Sequence, residues 1–69
     1  MDLQYVKSRM LLAAGYDEKS HTLQVVFRTG DGYCYKNVPS FEYDGLMSAE
    51  SKGKYMHKHI IGRYDYERV

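Results

Sequence analysis

Hydrophobic and polar positions alternate from Ser8 to Tyr16, with Met10, Leu12, Ala14 and Tyr16 on one parity and Arg9, Leu11, Ala13 and Gly15 on the other. A period of two predicts a strand with one face more buried. A helix over Met10–Ala14 competes on pattern alone. Strand is the better reading because the next segment needs a hairpin partner and Asp17-Glu18-Lys19-Ser20 carries turn chemistry. His21 to Arg28 is the clearest strand, β-branched and aromatic, with Leu23, Val25 and Phe27 expected on the core face. Thr29-Gly30-Asp31-Gly32 supplies glycines for a tight hairpin, and Gly32 to Val38 forms a third strand.

Pro39 stops the ladder for want of an N–H, and its fixed φ suits a helix start. A helix over Pro39–Ala49 follows, with Tyr43, Leu46 and Met47 as its apolar stripe and Gly45 pointing to close packing. Ser51 is the expected N-cap of a second helix reaching Ile61, whose stripe is Tyr55, Met56, His59 and Ile60 and whose terminator is Gly62. The fold class predicted is α+β: a three-stranded antiparallel β-meander followed by two short α-helices packed on one face. Residues 1–7 show no period and read as a loose lead-in. The tail Arg63–Val69 alternates charge with aromatic, docking Tyr64 or Tyr66 and otherwise mobile.

One register is left open. If Arg28 pairs with Gly32, Phe27 lies opposite Tyr33 and Val25 opposite Tyr35, which puts both tyrosines on the core side. A slip of one residue turns them outward.

A chain of 69 residues has room for a single domain, with its core at about residues 8–64. The formal charge of +1 provides no global field, so any polyanion site is a local patch. The lone cysteine, Cys34, excludes an internal disulfide and fits a reducing cytoplasm. The longest apolar run, Met10–Ala14, is too short for a membrane span, and no targeting segment is expected. Eight tyrosines stand out, since the side chain joins a flat apolar face to a polar tip.

The pattern Gly15-Tyr16-Asp17, Leu23-x-Val25-x-Phe27, Gly32-Tyr33-x-Tyr35-x-x-Val38-Pro39, Ala49-x-Ser51-x-Gly53-x-Tyr55 and Tyr64 resembles the KTSC domain. This small module occurs at the C-terminus of some lysyl-tRNA synthetases and as a stand-alone bacterial or phage protein. The resemblance implies a single domain over the whole chain, and the module's place beside a tRNA-charging enzyme implies RNA as a ligand. Two positions depart from the family pattern: His57 stands where Asn is frequent, and the serine pair before the first strand is Ser8-Arg9.

Tyr33 and Tyr35 project from one strand face about 7 Å apart, the spacing of stacking platforms in sheet-based single-strand RNA binders. The more common role of strand tyrosines is packing, here beneath the helices with their hydroxyls reaching a partner. Ser51-Lys52-Gly53-Lys54 opens a helix with free N–H groups and lysines, a plausible phosphate cradle or an ordinary cap. Arg28, Lys36, His57, Lys58 and Arg63 complete the candidate nucleic-acid-binding set. His57 and His59 point about 200° apart on a helix and do not chelate one metal. With no P-loop, dinucleotide fingerprint or paired carboxylates, neither a cofactor nor catalysis is expected. The reading is a non-catalytic binding module for RNA, either tRNA or single-stranded. The alternative is a small homo-oligomeric protein-interaction or nucleotide-binding accessory protein of a phage or bacterium.

Overall fold

The computed structural model describes residues 2–69. Five strands form one antiparallel sheet in the order β1 to β5: Gln4–Tyr5, Leu11–Asp17, Thr22–Phe27, Gly32–Tyr35 and Tyr66–Arg68. Between β4 and β5 lie α1, Ser40–Ser48, and α2, Lys52–Tyr55, which continues into a π-helical turn over Met56–Ile60. The class is α+β, and the three predicted strands are present as β2, β3 and β4. The count of three is corrected to five, because the segments read as loose lead-in and tail supply the two edge strands. β1 is only two residues long and leaves no period to read. It lies close because its neighbours are small: a Cβ on Gly15 would overlap the carbonyl of Asp2.

β5 is fixed by its partners on β4. Tyr66 lies opposite Tyr35 and Arg68 opposite Tyr33. Lys36 Nζ meets Glu67 at 2.7 Å, Arg68 pairs with Asp31, and Val69 N donates to Gly32 O at 2.9 Å. Gly32 therefore serves by its size. A Cβ there would collide with the Val69 side chain, and the positive φ of this hairpin belongs to Gly30, at 97°.

The β3–β4 turn also settles the register. Gly30 N donates to Phe27 O at 2.9 Å and Phe27 N to Asp31 O at 2.8 Å, a three-residue loop with a glycine bulge. Val26 consequently pairs with Gly32, Val25 with Tyr33 and Leu23 with Tyr35. This differs by two residues from the Arg28–Gly32 pairing, and a shift of two preserves parity. Tyr33 and Tyr35 thus share the face of Leu23 and Val25. In β2 a bulge between Leu11 and Ala13 breaks the simple alternation, so Leu11, rather than Leu12, faces the core opposite Phe27.

The core gathers Leu11, Ala14, Leu23, Val25, Tyr35 and Val38 against Leu46, Met56 and Ile60 from the helical segment. Pro39 is the N-cap of α1, with φ −64° and ψ 150°, one position before the helix proper. Ser51 caps α2 by accepting from Lys54 N. The π turn closes with Ile61 N donating to Met56 O at 2.7 Å, and Gly62 follows at φ 81°. That wide turn brings both Met56 and Ile60 fully into the core.

Glu42 is the charged side chain of this interior, at 6% exposure. Tyr55 Oη donates to one of its carboxylate oxygens at 2.6 Å and Tyr64 Oη to the other at 3.1 Å. These bonds join α1 to α2 and to the segment entering β5. Gly45, on the next turn of α1, makes room for the Tyr55 ring, which any Cβ there would overlap. Burial, followed by the hydrogen bond to Glu42, pushes the Tyr55 hydroxyl up to about 12.

Gly45→Ala gains ~1 kcal/mol of helix propensity but forces Tyr55 off Glu42, so a net loss of ~1–3 kcal/mol is expected in urea unfolding. A midpoint equal to wild type would show that the ring is not held there. The raised Tyr55 value also has a pH signature. Its folded-state value lies above the unfolded ~10, so its contribution is complete below about pH 10 and is lost as pH rises towards about 12. Tyr55→Phe should flatten that part of the stability profile, and an unchanged alkaline fall would contradict the assignment.

Candidate nucleic-acid interface

Where the β3–β4 hairpin meets the residues entering β2, the surface is concave. A cleft of about 470 Å³ is walled by Phe27, Tyr33, Tyr35, Tyr66 and Ile61, with Arg9, Met10, Arg28, Thr29 and Asp31 at its margin. A second hollow of about 590 Å³ carries Lys7, Arg9, Arg28, Lys52 and Lys54 against a single acid, Glu50, beside Ser8, Ser51 and Gly53. Arg9, Met10 and Arg28 line both, so the two hollows adjoin across these residues and together make a groove surface, aromatic on one side and cationic on the other. α2 lies beside Met10 at this junction, where a Cβ on Gly53 would make ordinary contact with Met10 Cβ and Sδ at 3.4 Å.

Arg28 is placed by the sheet. Its backbone N donates to Met10 O at 2.9 Å and its Nε to Ser8 O at 2.6 Å. Its two terminal nitrogens make no hydrogen bond to the described residues, and guanidinium nitrogens suit phosphate oxygens.

The aromatic wall is an edge-on cluster. Tyr33 meets Phe27 at 5.4 Å and 70° and Tyr66 at 5.3 Å and 85°, while Tyr35 meets Tyr66 at 5.6 Å and 44°. Tyr33 and Tyr35 are 6.4 Å apart and tilted by 49°, on one face but not parallel. Their environments differ. Tyr35 is 4% exposed and belongs to the core, Tyr33 is half-buried, and Tyr66 is 59% exposed, so the open ring surface belongs to Tyr66 and Tyr33. Burial first, and then the neighbouring Tyr33 and Tyr66, raise the Tyr35 hydroxyl above the ordinary tyrosine value.

Of the residues singled out in the sequence, Arg28, Tyr33, Tyr35, Ser51, Lys52, Gly53 and Lys54 line this groove. Within it Lys52 is already engaged, its Nζ donating to Met47 O at 3.2 Å and Ala49 O at 3.0 Å, where it closes the C-terminal end of α1. Lys36 lies on the other face of β4 against Glu67, whose carboxyl it holds below the usual range. His57 and Lys58 are exposed on the π turn outside both hollows, and Arg63 Nε donates to Lys58 O at 2.8 Å. Lys7, Arg9, Met10, Phe27 and Tyr66 are groove residues that the sequence reading did not select. Tyr66 had a signal, the period-two alternation of the tail, whereas Arg9 was indistinguishable from any polar strand position.

Residues 7–64 match the family model of the KTSC domain, and the chain belongs to that family. A crystal structure of a KTSC domain protein from Yersinia pestis superposes with a TM-score of 0.96 at 32% identity, covering 99% of this chain and 96% of that one. A protein from Tsukamurella paurometabola is 36% identical over 62 residues, spanning 90% of this chain and 92% of its own length. Lysine–tRNA ligases of Trichormus variabilis and a Nostoc species are each 39% identical over 54 residues, 78% of this chain. The chain spans 10% of the length of these ligases. No helix of the described residues is long and apolar enough to cross a membrane.

The two groove lysines should separate by stability. Lys52→Ala removes the carbonyl contacts at the end of α1 and is expected to cost ~1 kcal/mol in thermal or urea unfolding. Lys54→Ala, which donates only its backbone N–H to the fold, should unfold as wild type does.

Proposed function

We propose that this chain is a non-catalytic RNA-binding module acting in the cytoplasm, and that it takes a single-stranded segment of RNA, including tRNA, along the groove. The observation that carries the reading is that the aromatic and the cationic hollow adjoin across Arg9, Met10 and Arg28. Bases need flat apolar surface and phosphates need cations at nucleotide spacing, and a groove surface with both side by side meets both needs. The net charge of +1 agrees with a local electrostatic site in place of a basic surface. An RNA ligand also agrees with the lysine–tRNA ligases in which a homologous domain makes up a tenth of the chain.

Phosphate contacts fall to Arg9, Arg28 and Lys54. Three contacts on a single strand give a slope of about −2 in log affinity against log salt. Fluorescence anisotropy with labelled tRNA and short oligonucleotides at two salt concentrations reads this slope. Lys54→Ala should reduce it by about 0.7, whereas Lys58→Ala, outside the groove, should leave it unchanged. Tyr66→Ala should weaken binding by ~1–3 kcal/mol at constant slope, because stacking releases no counterions. Affinity no tighter than about millimolar at about 50 mM salt, together with self-association in sedimentation, would replace the RNA reading with an oligomeric interaction module.

A further inference from the structure

We infer that Tyr35 is a ligand-reading residue of this groove: its hydroxyl hydrogen-bonds the exposed edge of one unpaired base that rests against Tyr66 and Tyr33. The inference rests on the RNA reading and assigns Tyr35 a chemistry different from stacking.

Of the five half-buried tyrosines packed on the core, three have engaged hydroxyls and two, Tyr33 and Tyr43, make no hydroxyl hydrogen bond to the described residues. Tyr16 donates to Val38 O, and Tyr55 and Tyr64 donate to Glu42. Tyr35 is the most buried of the tyrosines, yet its hydroxyl makes no hydrogen bond to the described residues. That oxygen is not sealed in either, for no fully buried side-chain polar atom among the described residues lacks a partner. Tyr35 is one of the residues that line the aromatic cleft. The ring is held by Tyr33, Tyr66 and the Leu23 pairing, so the hydroxyl is a preorganised polar group on the aromatic wall.

Phenylalanine would fill the same core position, and the described residues make no use of the hydroxyl that tyrosine adds. A polar group that the fold leaves unpaired beside a cleft is available to a ligand. A phenol both donates and accepts, so it can satisfy the edge of any base, and it selects strandedness in preference to sequence. A base inside a duplex keeps its pairing edge occupied and its faces stacked, and cannot reach the aromatic wall. The adjoining Arg9 and Arg28 stand where the flanking phosphate of an extruded nucleotide would lie.

Tyr35→Phe tests this without removing the core ring. Its thermal midpoint should equal or exceed that of wild type. Its affinity for a single-stranded oligonucleotide should fall roughly three- to tenfold at an unchanged salt slope, and its affinity for a duplex of the same sequence should stay constant. A lower midpoint would show that the hydroxyl serves the fold and would overturn the inference. Single-strand affinity equal to wild type would overturn the inference while leaving the RNA reading in place. A wild-type protein that binds no RNA would overturn both.

Discussion

The helical layer depends on one buried carboxylate. Glu42 forms no salt bridge among the described residues, and its two oxygens are satisfied by the hydroxyls of Tyr55 and Tyr64. A buried acceptor so placed is costly to leave unpaired, so the two tyrosines are held as firmly as the acid. One belongs to α2 and the other to the stretch that leads into β5, and both converge on α1. The joint therefore sets where the C-terminal segment leaves the helices. From that point Tyr66 is delivered opposite Tyr35, and the exposed ring of the groove follows from this joint.

The groove is assembled from parts that are remote in sequence. Residues before β2 supply Arg9 and Met10, the β3–β4 hairpin supplies Arg28, Tyr33 and Tyr35, and β5 supplies Tyr66. Two local irregularities make them converge. The bulge in β2 brings Leu11 onto the core face, and the Phe27–Asp31 loop ends β3 with Arg28 bonded back to Met10 and Ser8. The same loop moves the β3–β4 register by two residues, so the tyrosine faces survive although each cross-strand partner differs.

Several cations near this surface belong to the architecture. Lys52 closes α1, Arg63 bonds the end of the π turn, and Lys36 and Arg68 pin β5 to β4. Lys7, Arg9, Arg28 and Lys54, which line the cationic hollow, form no salt bridge among the described residues. A chain with nearly balanced charge can in this way hold a cationic site without a basic surface.

Residue pattern alone determined the α+β class, strands β2 to β4, both helix starts, the Ser51 cap, the Gly62 terminator and the close packing at Gly45. All of these are local, set by side-chain period, by the missing N–H of proline or by the missing Cβ of glycine. Family membership was equally legible, because its motif covers most of the chain. The two edge strands were not, since a two-residue strand has no period and the tail's alternation acquires a partner only when the chain returns from the π turn to β4. Nor was the contrast between Tyr33 and Tyr35, two residues apart on one face with one half-open and the other in the core. That contrast is decided by Tyr66 and by the core cluster of Leu46, Met56 and Ile60 that Tyr35 joins, and long-range packing of this kind leaves no mark in the local pattern of residues.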